Sequence, residues 1–278
     1  MEKPTAYRLI NNTRPGLPVA VDIFGNNAVI HLFGRIEPEI REKLEEEIKK
    51  VSGAEYFFYK DNSGENSDIP KSSGKKIVIE EYGNKFLINL SEYLDVGLFL
   101  DHRETRKWIA GQSKNKIILN TFAYTGSFSV YAANAGAEKT YSVDLSKTYC
   151  DWIKENLALN NLPPEKNWVY KMDALEFFDY AKRKNLIFDI IIIDPPTFSK
   201  NKGTSFSVQK DHPKLINAAL EVLSPNGFIL FSNNYTEFQM KKNMLNPCVV
   251  TEKKDTIPPD FAETRPHRCF IISKLGLI

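Results

Sequence analysis

The run FDIIIIDPPTF, residues 188–198, decides the fold class of this chain of 278 residues. A short apolar run with four consecutive isoleucines is typical of a strand that is buried on both faces, as in a parallel sheet. Two prolines follow at once, and proline cannot continue a central strand because it has no N–H to donate. The strand is therefore expected to end at Asp194, with a rigid turn after it.

Outward from this run, strand-like and helix-like segments alternate from about Leu100 onward. Further strands are predicted at residues 116–120, 139–144, 168–171, 228–232 and 268–274, and helices at 127–135, 147–160, 174–184 and 213–223. Strands separated by single helices indicate an α/β fold with a mostly parallel, doubly wound sheet. The part before Leu100 has hairpin turns and one amphipathic helix. We therefore predict a small α+β domain at 1–95 and the larger domain at 96–278.

The composition is that of a globular protein, with 42% hydrophobic and 26% charged residues. The three cysteines (Cys150, Cys248 and Cys269) form no C-x-x-C pair, so neither a disulfide framework nor a metal site is expected. No apolar run approaches the roughly 20 residues of a membrane span, and the N-terminus has no apolar signal segment. These features predict a cytoplasmic protein without a membrane or metal partner.

The charge is uneven along the chain. Residues 1–100 hold 13 Lys and Arg against 16 Asp and Glu, a balance of −3, and residues 101–278 hold 24 against 19, a balance of +5. The basic second part is compatible with a polyanionic partner, although surface lysines kept for solubility explain it as well.

Acidic residues follow three of the predicted strands. Asp144 can hold both hydroxyls of a ribose, and Asp173 can accept from an adenine amino group while Met172 packs on the ring. Each aspartate alone would be an ordinary helix N-cap. The three aspartates Asp144, Asp173 and Asp194, each of which follows an apolar strand, together favour a nucleoside cofactor. The G-x-G-x-x-G fingerprint is absent, which disfavours a nicotinamide enzyme.

The turn after residue 193 has the chemistry of a base-binding site. Pro195 and Pro196 present carbonyl groups on a rigid rim, Asp194 can accept a hydrogen bond, and Phe198 can stack on a planar ring. A plain proline-rich turn, with Phe198 in the core, is the alternative. Lys200 and Lys202 follow and suit backbone phosphates, or form a solvated loop.

Several motifs together resemble the class I S-adenosylmethionine-dependent methyltransferases. They are NTFAYTGS (120–127), VDLS (143–146), MDAL (172–175), DPPTFS (194–199), FSNN (231–234), the run INLSEYLDVGLFLDHR (88–103) and the tail PPDFAETRPHRC (258–269). The resemblance is greatest to the 23S rRNA methyltransferases, in particular to the domain that methylates N7 of a guanine. It implies a Rossmann-like, seven-stranded catalytic domain after a small domain, an S-adenosyl-L-methionine cofactor, and ribosomal RNA of the large subunit or its precursor as substrate.

The resemblance also implies roles for individual residues. The cofactor would be bound by His102, Arg103, Asn120, Phe122, Ala123, Tyr124, Thr125, Gly126, Ser127, Asp144, Leu145, Ser146, Met172, Asp173, Ala174 and Asp194. The catalytic set would be Asp194, Pro195, Pro196 and Phe198, and the RNA would be bound by Phe198, Lys200, Lys202, Asn233 and Asn234.

The target atom is open to alternatives. Methylation of a pyrimidine at C5 needs a cysteine nucleophile, and the stretch 231–234, where related cytosine enzymes carry it, has none. Guanine N7 already has a free lone pair, and the resemblance favours it. An exocyclic amine (guanine N2 or adenine N6), cytosine C5, and a non-catalytic RNA-binding assembly factor are the alternatives.

Overall fold

The computed structural model describes residues 5–13, 16–66, 74–93, 95–201 and 204–275. Its internal contacts divide the chain into two compact units. The first unit consists of Met1–Arg103 and Pro258–Arg265, and the second of Glu104–Ile257 and Pro266–Ile278. The division thus falls at Arg103 rather than at residue 95, and a segment near the end of the chain belongs to the first unit.

The first unit is an α+β unit with two small sheets. Its elements are β1 (Ala6–Ile10), β2 (Val19–Phe24), β3 (Asn27–Leu32), α1 (Pro38–Ser52), β4 (Tyr56–Asp61), β5 (Lys76–Glu81) and β6 (Asn84–Asn89). One sheet has the order β1-β2-β3-β4, with β4 parallel to β3, and β5 pairs with β6 as an antiparallel hairpin. Valines and isoleucines of β2 and β3 form its core together with Ile48 of α1.

The segment Pro258–Arg265 is fixed in the first unit by polar contacts to β1. The N–H of Arg8 donates to Oδ2 of Asp260 at 2.9 Å, and Nδ2 of Asn11 donates to the carbonyl of Asp260 at 2.9 Å. The Arg103 guanidinium pairs with the same carboxylate. The Arg8 guanidinium lies 4.6 Å above the ring of Phe261. Asp260 therefore makes three of the polar contacts that hold this segment, and Phe261 adds a contact with the Arg8 guanidinium.

The second unit is an α/β unit around one large sheet. Its elements are α2 (Arg103–Gln112, the first residue belonging to the first unit), β7 (Ile117–Thr121), α3 (Ser127–Asn134), β8 (Lys139–Asp144), α4 (Lys147–Leu159), β9 (Asn167–Lys171), α5 (Ala174–Arg183), β10 (Phe188–Ile193), β11 (Phe198–Asn201), β12 (Thr204–Ser207), α6 (Val208–Val222), β13 (Leu223–Asn233), β14 (Cys248–Lys253) and β15 (Arg268–Lys274). Within the ranges given above, no helix has both the length and the hydropathy to cross a bilayer.

The sheet has seven strands in the order β14-β15-β13-β10-β7-β8-β9. Five adjacent strands of this sheet (β13, β10, β7, β8 and β9) run parallel to one another. β15 is antiparallel to both of its neighbours, β13 and β14. The predicted mostly parallel, Rossmann-like sheet is confirmed. The chain moves outward from β7 to β9 and returns to β10 on the other side of β7. Doubly wound sheets bind ligands at such a reversal.

The isoleucines of β10 supply both faces of the core. Ile191 and Ile193 join a cluster that includes residues of α5 and α6, whereas Ile190 and Ile192 join a cluster with Ile109 of α2 and residues of α3. Side chains alternate between the two faces of a strand, so a continuous apolar run is what a strand covered on both sides requires. This explains why β10 is the central strand.

Three elements differ from the sequence prediction. Residues 198–201 and 204–207, where a solvated lysine loop was an alternative, pair as the antiparallel strands β11 and β12. β14 was not predicted, and it pairs with β15 at the sheet edge. Helix α6 begins at Val208 rather than at Pro213, because Asp211 accepts from the N–H of Ser207 at 2.7 Å and satisfies a donor at the start of the helix.

Candidate functional site

The parallel strands of the second unit end at one level. Cross-strand register places Tyr170, Val143, Thr121, Ile193 and Phe231 side by side from β9 to β13. The residues that directly follow this row therefore emerge along one edge of the sheet, where a doubly wound fold binds its ligands.

The turn after β7 has an unusual backbone. Phe122, Tyr124 and Gly126 all have positive φ, of 54°, 52° and 78°. Gly126 is the N-cap of α3, and a Cβ there would lie 2.8 Å from Cγ2 of Ile153. Glycine is required at this position both for the left-handed backbone and for the close approach of α4.

The same turn is fixed by hydrogen bonds to neighbouring elements. The N–H of Ala123 donates to the carbonyl of Val143 at 3.1 Å, and Nδ2 of the buried Asn156 donates to the carbonyl of Thr125 at 2.9 Å. Thr125 is itself buried, whereas Ser127, the first residue of α3, is half-buried. The turn is thus held at a fixed position against β8 and α4.

Asn120, a predicted cofactor residue, has a structural partner. Its Nδ2 donates to Oγ of Ser129 at 3.0 Å, and that hydroxyl lies 2.7 Å from Oγ of Ser142. All three side chains are buried. These hydrogen bonds connect the end of β7 with α3 and β8 beneath the surface. The predicted contact of Asn120 with a cofactor stays a prediction.

Asp144 at the end of β8 joins two segments of the predicted cofactor site. Its Oδ2 accepts from the N–H of Tyr124 at 2.9 Å, and its Oδ1 accepts from the N–H of Ser146 at 2.9 Å. Burial raises the pKa of the carboxyl, and backbone N–H groups of Ser146, Tyr124 and Leu145 oppose that rise. Two carboxylate oxygens offer about four acceptor positions, so further hydroxyl groups can be bound. The Leu145 side chain is exposed, and Ser146 caps α4.

The end of β9 is connected to Asp144 as well. The N–H of Met172 donates to the carbonyl of Asp144 at 3.0 Å. Asp173 caps α5 through Oδ1, which accepts from Leu175 at 2.8 Å and from Glu176 at 3.4 Å. Oδ2 of Asp173 has no hydrogen-bond partner within the described part of the chain, so it can accept from a ligand. Met172 is half-buried against the core, and Ala174 is buried.

The turn after β10 is linked to the end of β13. Pro195 is buried and Pro196 is exposed. Oγ1 of Thr197 donates to Oδ1 of Asn234 at 2.5 Å. The Phe198 side chain is 66% exposed, and its ring meets that of Tyr235 edge-on at 6.3 Å. The alternative of Phe198 as a core residue is therefore wrong.

In the side-chain amide of Asn233, at the end of β13, only the oxygen has a hydrogen-bond partner within the described part of the chain. Its Oδ1 accepts from the N–H of Tyr235 at 3.2 Å. A backbone N–H can only donate, so this contact assigns the orientation of the amide. The side chain is 1% exposed, and Nδ2 has no hydrogen-bond partner among the described residues. A buried donor without a partner costs about 1–3 kcal/mol, which a bound acceptor would recover.

The β11–β12 hairpin contacts the turn after β7. The ring of Phe206 in β12 packs 6.0 Å from the ring of Phe122 in the turn after β7. Lys202 lies outside the described residues, and so does the side chain of Lys200. Their predicted contacts with RNA stay predictions.

His102 and Arg103 belong to the first unit, whereas the other predicted cofactor residues belong to the second. Both are buried. The Arg103 guanidinium donates to the carbonyl of Ala6 at 3.1 Å and pairs with Asp260. The predicted contacts of His102 and Arg103 with a cofactor stay predictions.

The three cysteines lie away from the turn after β10 in the sequence and in the elements they occupy. Cys150 is on α4, with its sulfur 3.4 Å from the carbonyl of Asp144, and Cys248 and Cys269 are on the antiparallel strands β14 and β15. Burial raises the pKa of the thiols of Cys150 and Cys248. Cys269 is fully buried in the apolar cluster around Ile190.

Sequence reasoning missed Thr197 and Tyr235 as members of the site. Tyr235 follows FSNN directly, and Thr197 lies inside DPPTF, so both adjoin residues that were selected. Their contacts with Asn234 and Phe198 depend on the close approach of β10 and β13, which residue types alone do not reveal.

Comparison with known sequences identifies related proteins. Residues 61–263 match the family model described as S-adenosylmethionine-dependent methyltransferase. The chain is 35% identical to ribosomal RNA large subunit methyltransferase K of Neisseria meningitidis, over 96% of this chain and 80% of that protein. It is 36% identical to ribosomal RNA large subunit methyltransferase K/L of Pseudoalteromonas translucida, over 97% of this chain. The chain spans only 40% of that longer relative.

Solved structures agree with this relationship. A putative S-adenosylmethionine-dependent methyltransferase from Streptococcus mutans superimposes with a TM-score of 0.81 at 30% identity, covering 97% of this chain and 75% of that chain. A putative methyltransferase solved in complex with SAH superimposes with a TM-score of 0.80 at 29% identity, with the same coverage.

Proposed function

The chain belongs to the family of S-adenosylmethionine-dependent methyltransferases, and we propose that it methylates N7 of a guanine in the ribosomal RNA of the large subunit. Two relatives carry the name of ribosomal RNA large subunit methyltransferase, which supports this class of substrate. The basic balance of the second part of the chain is compatible with it. Such a substrate is consistent with action in the cytoplasm.

The residues at the strand ends fit S-adenosylmethionine. Asp144 has acceptor positions for ribose hydroxyls beyond those that Tyr124 and Ser146 occupy. Oδ2 of Asp173 can accept from the adenine amino group, and the turn ending at Gly126 adjoins the N-terminus of α3, which favours a carboxylate. When bound, the cofactor supplies a methyl group on a positively charged sulfur.

One observation carries the choice of a nucleic-acid base as acceptor. Phe198 presents an exposed ring directly after the central strand, beside Tyr235 and the Thr197–Asn234 hydrogen bond. Exposing a large apolar side chain to water costs free energy, so its exposure at the edge where doubly wound sheets bind ligands favours a stacking partner. A flipped base offers the flat face that this ring needs.

Guanine N7 suits the polar groups around this ring. Its in-plane lone pair attacks the methyl carbon without prior loss of a proton, so the protein has to align the base and stabilise the positively charged product. Asp194, which follows β10, has the charge for that stabilisation. Nδ2 of Asn233 is a donor without a partner, and O6 beside guanine N7 is an acceptor. Adenine has an amino group there and would oppose donor to donor.

The test is nucleoside mass spectrometry. The protein is incubated with S-adenosylmethionine and with large-subunit rRNA from a strain that lacks the corresponding gene, and the RNA is digested to nucleosides. New 7-methylguanosine supports the proposal. Methylation of an exocyclic amine or of cytosine C5 would retain the enzyme class and replace the target.

A matched pair of variants connects the product with the site. Asp194→Asn keeps an acceptor oxygen and the shape of the side chain but removes its charge, so it is expected to lose most of the 7-methylguanosine with a smaller effect on cofactor binding. Asp151→Asn, on the exposed face of α4 beside Lys147, removes the same charge elsewhere and should leave the product unchanged. Cofactor binding without any product, on rRNA or on immature large subunits, would favour an assembly factor over an enzyme.

A further inference from the structure

The loop after β13 is held mainly by side chains of α6, together with Arg268 of β15, which donates to the carbonyl of Phe238 at 2.9 Å. The side-chain amide of Gln209 makes hydrogen bonds with both backbone groups of Gln239. Nε2 of Gln209 donates to the carbonyl of Gln239 at 3.1 Å, and Oε1 of Gln209 accepts from the N–H of Gln239 at 2.9 Å. Nδ2 of Asn217 donates to the carbonyl of Met244 at 3.0 Å, and its Oδ1 accepts from the N–H of Asn246 at 2.7 Å. Two amide side chains of α6 therefore replace the pairing that a neighbouring strand would provide.

His212 makes the third link and is buried completely. One ring nitrogen, Nδ1, lies 2.9 Å from the carbonyl of Val208, and Nε2 lies 3.1 Å from the N–H of Lys241. The carbonyl can only accept and the N–H can only donate, so the ring is neutral with its proton on Nδ1. The ring also meets Phe238 edge-on at 4.8 Å. Every polar atom of the ring is thus used.

Through Val208 this link reaches the turn after β10. The N–H of Val208 donates to the carbonyl of Thr197 at 3.1 Å, which closes the base of the β11–β12 hairpin. A chain of three hydrogen bonds consequently runs from Thr197 through Val208 and His212 to Lys241. One end carries Phe198, and the other belongs to the loop that begins with Asn234 and Tyr235.

We infer that His212 is a positioning residue for methyl transfer, which sets the spacing between the two sides of the base site. The inference rests on the proposed function, because that site is the one formed by Phe198, Asn234 and Tyr235. Two short-range contacts depend on the spacing: the Thr197–Asn234 hydrogen bond and the contact of the rings of Phe198 and Tyr235. The cofactor residues on β8 and β9 have no part in this chain of bonds.

Steady-state methylation with separate measurement of cofactor binding tests the inference. His212→Phe keeps an aromatic ring and removes both hydrogen bonds. We expect kcat/KM for rRNA to fall about tenfold to hundredfold, with an unchanged Kd for S-adenosylmethionine by calorimetry. His212→Gln offers an amide oxygen to the N–H of Lys241 and should recover part of the loss. Gln209→Ala, which removes the neighbouring link to the exposed Gln239 of the same loop, should give a smaller loss.

The control is Asn167→Ala, which also removes a buried hydrogen-bonding side chain. Asn167 bonds Thr140 and Pro163 at the start of β9, far along the strand from the sheet edge used by the site. It should lower Tm without a selective loss of kcat/KM for rRNA. Equal losses in His212→Phe and the control at equal Tm, or a weaker cofactor Kd in His212→Phe, would overturn the inference. Because the assay counts methyl groups transferred to RNA, it stays valid if the wild-type product is a nucleoside other than 7-methylguanosine.

Discussion

The backbone N–H of Tyr124 donates to Oδ2 of Asp144 at 2.9 Å, which joins the turn after β7 to the end of β8. Oδ1 of the same carboxylate accepts from Ser146. A single side chain therefore fixes the start of α4 and the backbone of the left-handed turn, and it retains acceptor positions for a ligand.

Asp144→Asn should weaken cofactor binding strongly. An amide has only one acceptor oxygen, so its NH2 group would face one of the two backbone N–H donors and could not accept from ribose. We expect the Kd for S-adenosylmethionine, measured by calorimetry, to rise at least about tenfold, since hydrogen bonds to a charged group contribute about 1.5–3 kcal/mol. Asp151→Asn serves as the charge-matched control. An unchanged Kd in Asp144→Asn would remove this carboxylate from the cofactor site.

Phe198→Ala should impair RNA turnover without affecting the cofactor. Stacking of a base on an aromatic side chain contributes about 1–3 kcal/mol, so kcat/KM for rRNA is expected to fall roughly tenfold to hundredfold. Phe33→Ala removes another exposed phenylalanine, in the first unit, and is the control. If both variants lost the same activity, Phe198 would have no special role in binding the base.

Gly126→Ala should destabilise the fold more than Gly136→Ala does. Both glycines have positive φ, of 78° and 87°. An added Cβ would lie 2.8 Å from Ile153 at the first position, but 3.8 Å from the nearest atom, Cγ of Lys114, at the second. The backbone penalty of about 1 kcal/mol is shared, and the contact with Ile153 adds about 1–3 kcal/mol by overpacking.

Urea unfolding measures the free energy of unfolding of Gly126→Ala and Gly136→Ala. Adding Ile153→Val to Gly126→Ala should recover part of the difference, because it shortens the side chain that the new Cβ meets. Equal losses of unfolding free energy in the two single variants would contradict the role assigned to the close approach of α4.

Stability should decline below neutral pH through His212. Burial, and to a lesser extent Lys241, lower the pKa of this ring below its ordinary value of 6.5, whereas Asp211 and the carbonyl of Val208 raise it. Between the lowered pKa and 6.5 the unfolded chain binds a proton that the folded chain does not bind. The free energy of unfolding therefore falls as the pH drops through 6.5, by at most about 1.4 kcal/mol per pH unit.

Urea titrations between about pH 7.5 and pH 5.5 follow this decline across the ordinary titration range of histidine. His212→Phe should lose that part of the pH dependence. A variant with the same slope as the wild-type protein would assign the decline to other groups.

Replacing the three cysteines by alanine should leave methyl transfer in place. Cys150 and Cys269 are buried, and the pKa of Cys150 is raised by burial, so neither is an activated nucleophile. The variant is expected to lose stability, since a buried side chain is shortened at each of these two positions. Activity is therefore assayed well below its Tm. Complete loss of product in a folded variant would revive a covalent pyrimidine mechanism.

The arrangement of the large sheet could be predicted because its strands carry strong local signals. FDIIII is typical of a strand covered on both faces and is ended by two prolines, and each aspartate after a strand marks the same edge. β14 gave no such signal, because CVVTEK has only one pair of adjacent apolar residues, Val249 and Val250. Its side chains alternate between half-buried and exposed, as is typical of an edge strand. The β11–β12 hairpin was missed because its two strands have four residues each and are mostly polar, with three serines.

Sequence reasoning selected the segments of the candidate site, but it did not predict the hydrogen bonds between their side chains. Asp144 ends β8 and Phe198 follows β10, as the sequence predicts, and their roles in binding stay predictions. The partner of Asn120 is a serine in the first turn of α3, which no motif specifies. Arg103 was selected for its charge, and its partner Asp260 is far along the chain. Sequence reasoning assigns a residue to a strand end, whereas pairing between distant segments depends on the fold.

The hold of Asp260 on Arg8 has a consequence for synthesis of the protein. A ribosome releases residues in order from the N-terminus, so β1 emerges long before Asp260. The first unit consequently lacks the segment Pro258–Arg265 until residues 104–257 have been translated. Its folding therefore cannot be completed before most of the second unit has been synthesised.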